Sequence, residues 1–271
     1  MSALEAILLG LVQGATEFLP ISSSGHLRIV PALLGWEDPG AGFTAVIQMG
    51  TMAAVLLYFR ADLWRIATST VAERQVSFGK ASEEARLGRF IVIGTIPICI
   101  LGVAFSGPIE TTARSLYLIG GMLIGFSFVM LAAERWSSRQ RELREMNGRD
   151  GLFIGFAQAL ALIPGVSRSG ATISAGLFRN FDRVAAARYS FLLSVPAVVL
   201  SGLFELRKVG EEGSPGVAAT AIATIAAFVS GYLAIAWLIR FLGNHSLSVF
   251  VVYRIALGAL VIALAASGAI S

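Results

Sequence analysis

Apolar runs separated by short polar stretches set the rhythm of this chain. They cover about 43–59, 90–105 and 116–133, and again about 190–206, 217–238 and 249–266. Each approaches the roughly 20 residues that an α-helix needs to cross a bilayer, so the pattern predicts six spans. Two further apolar stretches, 3–34 and 151–180, are too short to cross twice. The first is broken at Pro20 and Pro31, the second at Pro164-Gly165. Proline has no backbone donor and ends or kinks a helix. We read each stretch as a re-entrant hairpin: a helix in, a loop at depth, a helix back. Between these elements lie turn signals at 35–42, a polar loop at 60–89, a short turn at Gly107-Pro108 and an ordinary solvated turn at Glu211-Glu212. The most polar stretch, ERWSSRQRELREMNGRD, runs from Glu134 to Asp150 and divides the chain.

The second half repeats the first. A shift of 145 residues, with no gap, brings Gly10 onto Gly155, Gln13 onto Gln158, Ser22 onto Ser167, Ser24 onto Ser169 and Gly25 onto Gly170. The two halves are then 1–134 and 151–271, joined by a basic linker at 135–150, and each holds one hairpin followed by three spans. A hairpin returns the chain to its starting side and three spans carry it across. Each half must therefore end opposite to where it began, which inverts one half relative to the other. The expected fold is an all-α polytopic membrane protein built from two inverted repeats. Their two broken loops enter from opposite faces and can meet inside.

Composition agrees with a bilayer setting. Of the 271 residues 56% are hydrophobic and 14% charged, against about a quarter charged in soluble domains; the mean hydropathy is +0.76. The net charge of +4 is modest, and its basic residues gather by loop. That distribution reports topology before it reports nucleic acid, so no nucleic-acid partner is expected. Loops 60–89, 135–149 and 179–183, with Arg240, share one side; Arg28, Arg114, Arg207 and Lys208 fall on the other. The basic side is expected to be cytoplasmic, which puts both termini and the mouth of the first hairpin outside. The N-terminus lacks a basic n-region and carries Glu5, so it does not read as a cleaved signal peptide. Cys99 is the one cysteine, and an intrachain disulfide is excluded.

The chemistry concentrates in the two hairpin loops. The first, within GLVQGATEFLPISSSGH, supplies Gln13, Glu17, Ser22, Ser23, Ser24, Gly25 and His26. The second, PGVSRSGAT, supplies Gly165, Ser167, Arg168, Ser169, Gly170 and Thr172. Gln13 and Glu17 lie one helical turn apart and share a face. Ionisable groups and broken helix at membrane depth are tolerated where they line a cavity. A guanidinium offers a planar fork suited to phosphate oxygens. Gly/Ser turns at helix starts leave N–H groups for an anion. A hydroxyl near a histidine and a carboxylate is a candidate nucleophile. Together these residues read as a site for a phosphorylated, membrane-embedded substrate. Plainer readings stand beside this one. Arg168 could pair with Glu17 simply to join the halves, His26 could be a packing residue, and the serines could be caps and turns. Gln48 lines the cavity or bridges helices. Arg188 and Arg254, near predicted span ends, read as snorkelling to the interface. His245 reads as solvated.

Both loops resemble the signature motifs of the undecaprenyl-diphosphatase family of the bacitracin-resistance type. The first motif is Glu/Gln-x-x-x-Glu followed by Pro-x-Ser-Ser-x-Gly-His, met here by Gln13, Glu17, Pro20, Ser22, Ser23, Gly25 and His26. The second is Pro-Gly-x-Ser-Arg-Ser-Gly-x-Thr, met by Pro164, Gly165, Ser167, Arg168, Ser169, Gly170 and Thr172. Gln13 stands where the pattern also allows Glu, leaving one carboxylate fewer for a metal or a proton. The resemblance implies a multi-pass phosphatase of the bacterial cytoplasmic membrane. Such an enzyme removes the terminal phosphate of undecaprenyl diphosphate, regenerating the carrier lipid for cell-wall polymers. It also implies an active site open to the outer side and dependence on a divalent metal, Mg or Ca, for which Glu17 is a candidate ligand. A second copy of the chain is a candidate partner. On this reading Ser23, His26, Glu17 and Arg168 are the catalytic residues, with Ser23 as nucleophile and His26 as its expected partner. Gln13, Gln48, Ser22, Ser24, Gly25, Gly165, Ser167, Ser169, Gly170 and Thr172 form the substrate-binding shell. Direct attack by water, with Glu17 as base, is the competing mechanism. The alternative function is a transporter or flippase of a lipid phosphate or other anion, since broken helices in inverted repeats are typical of transporters. Lipid phosphatases of the phosphatidic-acid type need another histidine after their Ser-Arg. Here SGATISAG follows Arg168, which excludes that class.

Overall fold

The computed structural model describes residues 1–104, 115–205 and 216–270. Among these residues the chain is helical, with α1 Ala3–Phe18, α2 Ser23–Leu34, α3 Gly40–Tyr58, α4 Arg60–Ala72, α5 Glu83–Ala104, α6 Leu116–Trp136, α7 Gly148–Ala159, α8 Arg168–Phe178, α9 Arg183–Glu205, α10 Val217–Leu242 and α11 Ser248–Ala266. Five of these, α5, α6, α9, α10 and α11, are long and apolar enough to cross a membrane. A sixth span arises if α3 and α4, bent by 78° at Phe59, count as one. This is an all-α polytopic membrane protein.

The apolar periods predicted the spanning helices, which differ from expectation at their ends, and missed one polar helix. The helix of α5 starts at Glu83 and that of α9 at Arg183, ahead of the apolar runs, while α10 continues to Leu242. Polar turns prolong a helix beyond the slab that hydropathy detects. The stretch 60–89, read as a loop, contains α4. Its residues RADLWRIATSTVA bury Ile66 alone, so the apolar stripe that marks an amphipathic helix is missing. Pro97 lies inside α5 without dividing it. The turns expected at Gly107-Pro108 and Glu211-Glu212 lie outside the described residues.

Each hairpin has a sequence-encoded start and stop. Ser2 and Glu5 form a capping box for α1, and Pro20 follows its end. Asn147 caps α7, and Asp150 returns a bond to the Asn147 amide at 3.0 Å, again a capping box. α1 packs along α10 and α7 along α5. At both seams glycine permits backbone contact. A Cβ on Gly10 would strike the Ala223 carbonyl, and one on Gly155 the backbone of Gly94. These two glycines correspond under the shift of 145. Further reciprocal pairs follow: α3 against α10 and α9 against α5, α3 against α9, and α6 against α11. The first helix of each hairpin thus packs on a long apolar helix far from it in sequence.

At one end of the bundle the basic loops lock together. Asp150, fully buried, pairs with Arg141 at 2.7 Å and Arg179 at 2.6 Å. Glu134 pairs with Arg139 at 2.8 Å and with Arg183, and accepts from the Leu247 amide at 3.2 Å. Arg188, exposed, reaches Asp62 of α4 at 2.9 Å. Burial pushes the Asp150 carboxyl up. The hydrogen bonds from Arg141, Arg179 and the Asn147 amide outweigh it and hold the group below the usual carboxylate range. An aromatic cluster of Phe18, Phe59 and Phe191 lies in the main core, beneath the end of α1.

Candidate active site

The two breaks fold into the same turn. Ser22 and Ser167 both adopt φ of +76°, a region that residues other than glycine rarely enter. Each caps the helix after it: Ser22 Oγ accepts from the Gly25 amide at 3.3 Å and Ser167 Oγ from the Gly170 amide at 3.1 Å. Each hydroxyl also meets the serine two residues on, Ser24 at 3.3 Å and Ser169 at 3.1 Å. The turns therefore present the starts of α2 and α8. The first-turn amides of Ser23, Ser24, Arg168 and Ser169 have no partner among the described residues, and such orphan donors favour anions.

The loops meet at Glu17. Its carboxylate accepts from Ser23 Oγ at 2.7 Å, Arg168 Nη2 at 2.9 Å, Gln13 Nε2 at 3.1 Å and Gln48 Nε2 at 3.5 Å. A carboxylate has room for four such donors. Glu17 is 7% exposed, and two site atoms are buried without partners: Gln13 Oε1 and Arg168 Nη1. Arg168 therefore spends one arm on Glu17 and keeps a donor uncommitted. Ser169 Oγ adds a second bond between the loops, donating to the Leu19 carbonyl at 2.9 Å.

A cavity of about 220 Å³ opens at this junction. Its polar wall is Gln13, Glu17, Ser22, Ser23, Ser24, Thr44, Gln48, Ser167 and Arg168; its apolar wall is Ile98, Ala161, Leu162, Ala197 and Val198. Eight of the residues expected from sequence thus stand together. Gly25, Gly165, Ser169, Gly170 and Thr172 stand behind the wall, where they build the turns. Gly25 and Gly170 have their amides capped. Gly165 holds φ of +93°, and a Cβ there would meet the Ile119 carbonyl at 2.7 Å. Thr172 Oγ1 bonds the Arg168 carbonyl at 2.8 Å and Ser190 at 2.6 Å.

His26 departs from its expected pairing. Its Nδ1 lies 2.8 Å from the Ser22 carbonyl and its Nε2 2.7 Å from the Tyr253 hydroxyl, with the two rings stacked at 5.7 Å. Both nitrogens are engaged, and Ser23 turns to Glu17 instead. The i to i+4 geometry of α2 explains this, since it returns the His26 ring to the carbonyl of its own N-cap. Arg254 also departs from expectation: it is fully buried rather than snorkelling. Sequence reasoning gave neither Tyr253 nor Arg254 a place beside the loops. A charge inside an apolar run was the available signal for Arg254. His245 is exposed, as expected.

Among the described residues no three His, Cys, Asp or Glu side chains group as metal ligands. Among the described residues Glu17 is the one carboxylate that lines the cavity. Magnesium commonly binds through one or two carboxylates together with substrate phosphates, so Glu17 fits an ion shared with the substrate once its longest donor, the Gln48 amide at 3.5 Å, gives up its place.

A serine and a guanidinium that share one buried carboxylate, where two helix starts converge inside an apolar bundle, define a class: an integral membrane protein with a polar site at the meeting of two broken hairpins. Residues 6–260 match the family described as bacitracin resistance protein BacA, and the chain belongs to that family. It is 50% identical to an undecaprenyl-diphosphatase of a Nocardioides species over 99% of this chain and 98% of that protein. It is 52% identical to an undecaprenyl-diphosphatase of Myxococcus xanthus, over 100% and 92%, and 49% identical to that of Thermobifida fusca, over 100% and 93%.

Proposed function

We propose that this chain hydrolyses undecaprenyl diphosphate to undecaprenyl phosphate and inorganic phosphate, recycling the carrier lipid for cell-wall synthesis and so conferring bacitracin resistance. Family membership and full-length similarity to undecaprenyl-diphosphatases support the activity. The observation that carries the chemistry is the Glu17 hub, with Ser23 on one oxygen, Arg168 on the other and Arg168 Nη1 unpartnered.

Ser23 Oγ attacks the terminal phosphorus as Glu17 accepts its proton. The P–O bond to the lipid phosphate breaks, and Glu17 returns the proton to the departing oxygen. Water then attacks phosphoserine with Glu17 again as base, releasing phosphate and restoring Ser23. Arg168 and the first-turn amides of α2 and α8 hold the phosphate oxygens and offset charge in the transition state. His26 braces the Ser22 turn. The apolar wall of Ile98, Leu162, Ala197 and Val198 accepts the start of the prenyl chain. A divalent cation, Mg or Ca, would be held by Glu17 and diphosphate oxygens and would neutralise phosphate charge.

The chain comprises two inverted halves, 1–134 and 151–271, and sits in the cytoplasmic membrane with its site and both termini facing outward. Matching turns at Ser22 and Ser167 support the repeat, as does the reciprocal packing of α1 on α10 and α7 on α5. The meeting of the basic loops at one end supports the orientation.

Reconstitution in liposomes holding undecaprenyl diphosphate tests the function. Release of inorganic phosphate is expected. Movement of the intact diphosphate across the bilayer with no phosphate released would replace the hydrolase by a transporter.

A further inference from the structure

Arg254 is fully buried in α11 and pairs with no carboxylate among the described residues. Its guanidinium is instead spread over acceptors from three elements of the site's scaffold. Nη1 donates to the Pro20 carbonyl at 3.3 Å and Nη2 to the Gly165 carbonyl at 2.9 Å. Nη2 also reaches the Met122 carbonyl at 3.3 Å, and Nε donates to Ser127 Oγ at 3.1 Å, both on α6. Pro20 and Gly165 are the break points of the two hairpins. Broken helix leaves carbonyls without their usual donors, and in an apolar setting each must be satisfied. One side chain does this for both breaks at once.

We propose that Arg254 is a positioning residue for the reaction: it fixes the two turns at a common depth, and so sets Ser23 and Glu17 against Arg168. The inference rests on the hydrolase reading above. A second consequence is electrostatic. Glu17 and Arg168 cancel as a pair, whereas the Arg254 charge has no anion opposite it among the described residues. It stands behind both turns, where a diphosphate brings negative charge into low dielectric. Lysine would keep that charge, yet its compact ammonium cannot span the same acceptors in a planar fork. Neutral glutamine would lose both. The neighbouring Tyr253 holds the first turn from the same helix through His26, so α11 serves as the back wall of the site.

The test compares R254K and R254Q with the native protein by melting curves and by phosphate release, expressed per folded molecule. A misplaced site about 1 Å from its productive geometry loses about 100-fold, and both variants are expected to lose kcat on that scale. KM should stay within about threefold of native in R254K and rise about tenfold in R254Q, because only the second loses the charge. Native kcat in both variants, or losses that track folded fraction with equal KM, would overturn the proposal. Should R254Q fail to fold, the R254K kcat decides alone, and a native value overturns it. Native protein that releases no phosphate would contradict the hydrolase reading itself. The positioning role is then read from binding of inorganic pyrophosphate. R254Q must weaken that binding about tenfold and R254K leave it near native; equal binding by all three overturns it.

Discussion

Glu17 orders the site because it is acceptor-only and buried among donors. Ser23 is then the hydroxyl whose proton already points to a base, at 2.7 Å. Ser22 and Ser24 sit beside it but are spent on capping and on each other. That difference yields a residue-scale prediction. Ser23→Ala should lower phosphate release about 1,000-fold, with melting little changed. Brief mixing of native protein with labelled diphosphate, followed by acid quench and peptide mapping, should find phosphate on the peptide holding Ser23. Labelled water incorporated with no phosphoserine at any time would favour direct attack by water. The sequence made Glu17, Ser23 and Arg168 legible because polar groups in apolar surroundings are conspicuous. It misassigned the partner of His26 because proximity along the chain favoured Ser23, whereas helix geometry turned the ring back to Ser22. Arg254 was misread because its acceptors are backbone carbonyls, which leave no mark in a sequence.

At the scale of elements, hydropathy found the spans and the hairpins but not α4 or the polar first turns of α5 and α9. Those turns lie beyond the apolar slab and are held by polar contacts: Ser82 Oγ accepts from the Ala85 amide at the start of α5, and Arg183 of α9 pairs with Glu134. The start of α7 is the clearest instance. Asp150 serves as capping residue and as the shared anion of Arg141 and Arg179. Asp150→Asn should destabilise the fold by about 3 kcal/mol, the scale for breaking a buried pair. The pH dependence has a definite sign. A carboxyl depressed in the folded state contributes its stability in full above the ordinary carboxylate pKa, near 4, and loses it as pH falls through the folded value. Native protein in detergent should therefore lose melting temperature steeply as pH is lowered below about 4, and Asp150→Asn should show a shallower acid decline. Equal slopes would remove Asp150 from the account of acid stability.

At the scale of the molecule, a shift of 145 residues aligns polar positions in register, and the two breaks so aligned take matching turns at Ser22 and Ser167. The consequence hidden from sequence was how closely the halves interlock. Each entering helix packs on the other half across a glycine seam, and Arg168, Ser169 and Arg254 tie one break to the other. Residues of both loops line the same cavity. If both termini face outward, a C-terminal tag on intact cells should be labelled by an impermeant reagent from outside. Labelling only after the membrane is opened would invert the topology. A hydrolytic site where the two loops meet requires both of them. Phosphate release from undecaprenyl diphosphate by purified native protein, run beside Arg168→Ala, tests it most directly. Release by the native protein and a loss of about 100-fold or more in the variant are expected, with both melting alike. Near-native release by Arg168→Ala would contradict that requirement, because the first loop would then be acting without the second.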